Sequence, residues 1–153
     1  NVEIKWINDI FFKNRKVGGI MVEALGEISS EKEVPVVIGI GINCAESSEV
    51  KSLDIEAGAL GIATDMREAL IAGITKNIMD LKNGYSREDV IERYKKHCMT
   101  LGSNITVYED AEKRIPAYNA KAIDIADTGE LVVQTEMGEL KLLNSGEVST
   151  RLN

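Results

Sequence analysis

Three kinds of residue near the start of the chain can do chemistry together. Asp9 offers a carboxylate, Lys16 an ammonium, and Gly18-Gly19 a stretch of backbone that another group can approach closely. The run Glu3-Ile4-Lys5-Trp6-Ile7-Asn8-Asp9 leads into Arg15-Lys16-Val17-Gly18-Gly19-Ile20-Met21-Val22-Glu23, with Lys13-Asn14 as a turn between. A hairpin joins residues on either side of its turn, so Asp9 and Lys16 are expected neighbours. Burying either charge alone would cost several kcal/mol, roughly. The pair is therefore a salt bridge or a site, and spacing alone favours the salt bridge.

A second glycine-bearing run, Val34-Pro35-Val36-Val37-Ile38-Gly39-Ile40-Gly41-Ile42-Asn43, reads as a buried central strand. Gly39 and Gly41 weaken a strand interior, which leaves two readings open. They form a bulge or tight packing point, or they floor a flat ligand.

The elements that must position these groups follow from patterning. Residues 1–6 read as a strand, 9–13 and 16–25 as a hairpin, and Glu27 to Glu33 as a polar turn. Cys44 to Ile62 reads as a loop with one helical turn at most. Asp65 and Glu68 have capping-box spacing before Leu70, Ile74, Ile78 and Leu81, which predicts a helix over about residues 66–82, stopped at Asn83-Gly84. Ser86 and Asp89 open a second helix with Val90, Ile91, Tyr94 and Cys98 on its apolar side. Both helices read as amphipathic covers for a sheet. His97, the one histidine, lies at a helix C-terminus, where a cation is welcome; with no second ligand nearby it makes a poor metal site. Cys98 reads as a small buried hydrophobe.

Beyond Leu101-Gly102 short strands alternate with turns: 104–108, 117–125, 130–135, 139–143 and 148–152. Glu109-Asp110, Asp127-Thr128-Gly129 and Met137-Gly138 supply the turn chemistry. That pattern predicts a small barrel. The fold class is α+β, with a mixed or antiparallel sheet and two helices over residues 1–100 and a barrel over 101–153.

Charge narrows the function. The formal net charge is −7, with 13 basic against 16 acidic residues up to position 100 and 5 against 9 beyond it. Neither half has the clustered Lys and Arg that a nucleic-acid surface needs. Cys44 and Cys98 have no CxxC spacing, which fits a reducing cytoplasm better than a disulfide framework. No apolar run reaches the ~20 residues of a membrane span. Asn1, opening directly in a strand-like run, reads as a chain entered in mid-domain with its front missing.

With those residues in view, the chain resembles the biotin–protein ligases. Lys5-Trp6-Ile7-Asn8-Asp9-Ile10 looks like the family's K-W-P-N-D-[IL] motif, Arg15-Lys16-Val17-Gly18-Gly19-Ile20 its R-K-[VL]-[AGC]-G-I, and Ile38-Gly39-Ile40-Gly41-Ile42-Asn43 its I-G-[IA]-G-[IL]-N strand. The ending at Gly146-Glu147-Val148-Ser149 and Arg151 resembles the tail of the family's SH3-like domain. A lipoate ligase is a weaker match, because the pairing of the first two motifs looks more like the biotin branch.

The resemblance implies a partial class II synthetase-like core followed by that SH3-like domain. It also implies a two-step reaction: biotin and MgATP give biotinoyl-5′-adenylate, and the biotinoyl group then moves to a lysine of a carrier domain of acetyl-CoA carboxylase or a related carboxylase. On this footing Lys16 is the catalytic cation, between biotin carboxylate and α-phosphate. Asp9 lies by the ribose and the metal-bound phosphates, where a carboxylate suits Mg²⁺. Asn8, Asp9, Lys16 and Asn43 contact ATP or the adenylate, with Asn43 on the adenine. Lys16, Gly19, Met21, Gly39 and Gly41 line the biotin floor.

Two departures accompany the match. The motif proline is Ile7 here, so the turn lacks a fixed φ. The 153 residues also contain no G-R-G-R loop and no helix-turn-helix repressor region. Taken alone they are expected to be inactive or nearly so. The competing expectation is a non-catalytic assembly module that pairs with a separate N-terminal half, or with itself as a homodimer, through exposed sheet edges.

Overall fold

A computed structural model describes residues 1–26, 33–47, 57–108, 116–144 and 149–152. Packing divides the chain into two units. One comprises Asn1–Val2 with Asn8–Leu70, and the other Glu3–Ile7 with Ile71–Asn153.

In the first unit β2 (Asp9–Phe12), β3 (Arg15–Ala24) and β4 (Val36–Ile42) lie side by side and antiparallel. Lys13 and Asn14 turn the chain between β2 and β3 with φ of 50° and 59°. Two consecutive left-handed residues give the hairpin turn whose twist matches its strands. Phe11 and Val17 are buried.

The expectation of a buried central strand fails at β4. Every one of its residues is exposed or half-buried, and the apolar side chains of Val36, Val37 and Ile38 are all exposed. Among the described residues β4 ends the strand order of its sheet, so it is an edge rather than a centre. Hydropathy reports what a strand tolerates on its two faces, not what covers them.

The second unit is built on strands β5 (Asn104–Tyr108), β6 (Pro116–Ile125), β7 (Leu131–Thr135), β8 (Leu140–Leu143) and β9 (Ser149–Leu152), in the order β8-β7-β6-β5-β9. These are the short antiparallel strands of the small barrel that the turn pattern predicted. Ile105, Val107, Ala122, Ile125, Leu131 and Val133 are almost wholly enclosed. They recur at the two-residue spacing that turns one face of each strand inward. A register shift between Ala122 and Asp124 breaks that spacing in β6 and restores it at Ile125.

Trp6 belongs to this core, not to that of the strands that follow it in sequence. Its backbone N–H donates to the fully buried Thr100 Oγ1 at 2.8 Å, and its indole N–H donates to the Gly129 carbonyl at 3.1 Å. The preceding strand β1 (Val2–Lys5) is fixed through Ile4, whose carbonyl accepts from Met99 N–H at 2.9 Å.

Helix α1 (Arg67–Gly84) follows a 3₁₀ turn, Thr64–Met66. Asp65 lies inside that turn, so the expected capping role does not arise; the cap is Ala63, with no side-chain bond. Leu70, Ile74 and Ile78 form a half-buried stripe, whereas Leu81, placed there by spacing, is exposed. Helix α2 (Arg87–His97) has the predicted capping box, Ser86 and Asp89 each accepting from the other's backbone. It packs against β6, with Ile91 and Tyr94 on the barrel core and Cys98 buried just beyond its end. The polar turn expected at 27–33 lies almost wholly outside the described residues, as do the Glu109-Asp110 turn and the Gly146-Glu147-Val148 tail.

Candidate functional site

The hairpin does more than bring its ends together. Asp9 pairs with Gly19, Ile10 with Gly18 and Phe11 with Lys16, which leaves Val17 as one extra residue on β3. Such a bulge re-aims the side chains beside it. Here Lys16 Nζ lies 2.5 Å from Asp9 Oδ1, with the lysine about half exposed and the carboxylate about a quarter exposed. The neighbours expected from sequence are neighbours in space. An ion pair this open contributes less than about 1 kcal/mol to stability, so the fold alone gives little reason for it.

The glycines separate into two kinds. A Cβ on Gly18 would collide with the Gly41 carbonyl, so the absence of a side chain there is a packing requirement of the two strands. Gly19, Gly39 and Gly41 differ. A Cβ on Gly41 would meet nothing within 4 Å, one on Gly39 would come no nearer than 4.0 Å to the Met21 carbonyl, and one on Gly19 would make ordinary contacts with Asp9 and Asn8. None of the three has a positive φ. Gly19 pairs with Gly41 and Met21 with Gly39, so all four share one face with Asp9. The chain's own packing does not ask for glycine at these three places; a flat group lying on the strands would.

Asn8 and Asn43 sit at opposite edges of this face. Asn8 Nδ2 donates to the Ile20 carbonyl at 2.6 Å, and the Asn8 carbonyl accepts from Ile20 N–H at 3.0 Å. Asn43 continues from β4: its N–H donates to the Val17 carbonyl at 2.7 Å and its Nδ2 to the Gly58 carbonyl at 2.9 Å.

Sequence reasoning missed the residues behind this edge. Arg15 donates to Glu46 Oε1 at 3.1 Å and to the Ala57 carbonyl, and Gly58 N–H donates to the Lys16 carbonyl at 2.8 Å. Arg15 stood in a quoted motif, but nothing in its spacing points to positions 46 or 57.

Among the described residues no three His, Cys, Asp or Glu side chains cluster as a metal site. Asp9 alone offers a hard carboxylate, which fits a Mg²⁺ held mostly by substrate phosphates and water. A cavity of about 350 Å³ in the second unit, with Trp6, Ile7, Tyr94 and Glu130 in its lining, contains none of the expected site residues. No helix among the described residues is long and apolar enough to cross a membrane.

A glycine-floored sheet with a carboxylate–ammonium pair at its rim, in a chain that ends in a small barrel, is an arrangement with known relatives. Residues 1–43 match the Biotin/lipoate A/B protein ligase family. Residues 100–151 match the Biotin protein ligase C terminal domain, so both matched segments are similar to biotin protein ligases.

Curated relatives agree. The chain is 26% identical over 157 residues to the Bifunctional ligase/repressor BirA of Bacillus spizizenii, covering 94% of this chain and 45% of that protein. It is 36% identical over 81 residues to the protein of the same name from Escherichia coli K12, covering 50% of this chain and 24% of that one. The chain thus spans less than half the length of the curated relatives it matches.

Among solved structures, the apo biotin protein ligase of Aquifex aeolicus shares the fold at a TM-score of 0.73 and 23% identity, over 99% of this chain and 66% of that one. The Aquifex aeolicus enzyme in complex with biotin and ATP matches at 0.68 and 25% identity, over 99% and 62%.

Proposed function

We propose that the face made by β2, β3 and β4 is part of a site that joins biotin to ATP as biotinoyl-5′-adenylate and passes the biotinoyl group to a carrier lysine. The observation that carries this reading is the Lys16–Asp9 pair at 2.5 Å beside three glycines that the fold itself does not require. The Aquifex aeolicus enzyme solved with biotin and ATP supports the choice of ligands.

In this reading biotin lies over Gly19, Met21, Gly39 and Gly41. The Lys16 ammonium stands between the biotin carboxylate and the α-phosphate, offsets their repulsion and stabilises charge gathering on phosphorus oxygens as the carboxylate attacks. Pyrophosphate leaves, and a lysine of a biotin carboxyl carrier domain of a carboxylase then attacks the mixed anhydride and releases AMP. Asp9 orients Lys16 and, with the phosphates, would hold Mg²⁺, which would supply charge neutralisation there. Asn43 meets the adenine, its amide already oriented by Gly58, and Asn8 holds the rim. Residues 1–100 act as the catalytic part and 101–153 as the SH3-like domain, the latter supported by the family match over 100–151. The setting is cytoplasmic.

The 153 residues hold no G-R-G-R loop, so by themselves they turn over little or no substrate. Incubation with ATP, labelled biotin and a carrier domain tests this, and robust carrier labelling by this chain alone refutes it. Calorimetry with a non-hydrolysable biotinoyl-adenylate analogue tests the site, with binding expected in the chain and lost in Lys16→Ala. Absence of binding together with a concentration-dependent dimer favours the assembly reading, to which the open edge β4 lends support.

A further inference from the structure

Two of the residues assigned to the nucleotide in that reading, Lys16 and Asn43, are held by the same short stretch of chain. The Gly58 N–H donates to the Lys16 carbonyl at 2.8 Å, and the Gly58 carbonyl accepts from Asn43 Nδ2 at 2.9 Å. Residue 58 therefore fixes one group's backbone and the other's side chain. Next along the chain, Leu60 N–H donates to the Asn43 carbonyl at 2.9 Å. Lys16 and Ala57 also form a parallel bridge, outside any named strand.

Something must keep 57–60 against β3, and one side chain does so. The Arg15 guanidinium reaches the Glu46 carboxylate with one nitrogen and the Ala57 carbonyl with the other. Its stem fills the place where a side chain at 58 would stand: a Cβ on Gly58 would lie 2.7 Å from Arg15 Cβ and 3.0 Å from Nε. A planar fork can hold two acceptors in fixed geometry, which a lysine cannot.

We propose that Arg15 and Gly58 are positioning residues, a clamp that sets Lys16 and Asn43 in register. The clamp is a statement about hydrogen bonds in this chain; its effect on ligand rests on the adenylate reading above. Arg15 touches no ligand in this scheme. It acts through Ala57 and Gly58.

Amide hydrogen exchange and analogue calorimetry on the full chain test the clamp separately from that reading. In Arg15→Ala and in Gly58→Ala, exchange of the amide at position 58 is expected to quicken by about tenfold or more, as local opening becomes easier, while the Ile20 amide stays protected. Arg15→Lys falls between, because it keeps the charge for Glu46 and loses the fork. Affinity for a biotinoyl-adenylate analogue should drop by roughly tenfold in Arg15→Ala, the scale of one lost charged hydrogen bond.

Unchanged exchange at Gly58 in Arg15→Ala overturns the clamp, whatever the analogue does. If the parent chain binds no analogue, the adenylate reading fails and exchange alone judges the clamp. Should Arg15→Ala also expose Ile20, the chain has opened globally, and Arg15→Lys decides: selective quickening at Gly58 supports the clamp, and none overturns it.

Discussion

Gly18 lies against the carbonyl of Gly41 so closely that no side chain fits between them, while Gly41 itself faces open space. Two glycines in contact across one pair of strands thus answer to different causes. Gly18→Ala must push β3 and β4 apart, because the obstacle is backbone and cannot swing aside. It should cost about 2 kcal/mol or more, the scale of a strained core substitution. Gly41→Ala should change the urea midpoint little and still weaken analogue binding. Equal destabilisation by both substitutions would remove the argument for a ligand floor.

Lys16→Ala separates site from scaffold in the same way. The pair with Asp9 is open to water on the lysine side, so its loss should cost less than about 1 kcal/mol of stability. Adenylate chemistry in any assembly that contains this chain should fall by two orders of magnitude or more, roughly, as expected for a fixed charge acting on a transition state. Denaturation midpoints and single-turnover adenylation measure the two effects independently.

Thr100 offers a sharper test of the second unit. It is fully enclosed and accepts from the Trp6 N–H. Thr100→Val keeps the shape and leaves that N–H with no acceptor, at a cost of about 1–3 kcal/mol. The chain has a single tryptophan, so its fluorescence follows the transition directly.

Acid sensitivity should come partly from the start of α2. The Ser86 hydroxyl, with the Ser86 backbone N–H, holds the Asp89 carboxyl below the usual carboxylate range. Asp124 is lowered too, first by its bond to Lys95 and then by the Ile125 N–H. A carboxyl whose folded pKa is depressed contributes stability above its unfolded value, about 3.9, and that contribution is lost as pH falls through the folded value. Thermal midpoints of Asp89→Asn and the parent should converge as pH drops below about 3.9. At neutral pH they should differ.

At the other end of the scale, burial pushes the Tyr94 phenol well above its ordinary value, with Cys98 adding to the rise. Its hydroxyl donates to the Ile7 carbonyl at 3.0 Å. A raised folded pKa contributes stability below the unfolded value of about 10, and it is lost as pH climbs through the folded value. An ultraviolet titration should show a late tyrosine ionisation, and Tyr94→Phe should abolish that step.

The barrel strands were legible because each alternates apolar and polar residues between strong turn signals, and their ends fall within a residue or two of expectation. The Asp9–Lys16 contact was legible because a two-residue turn leaves little freedom. Burial at β4 was misread, since a β-branched run looks the same at a centre and at an edge. Arg15, Glu46 and Gly58 were invisible for a different reason. Their bonds run over long separations in sequence, and all but the Arg15–Glu46 ion pair end on backbone carbonyls, which leave no residue-type signature to find.

The turn at Lys13-Asn14 also sets an order of events. Asp9 and Lys16 meet through a hairpin, a local structure that forms in roughly microseconds, whereas Gly39, Gly41 and Asn43 arrive by pairing with β3 from about twenty residues away, at a larger loop-closure cost. The charged rim can therefore assemble first, and the glycine floor slides in beneath it. A newly made chain would hold its carboxylate and ammonium together before it had anything for a ligand to lie on.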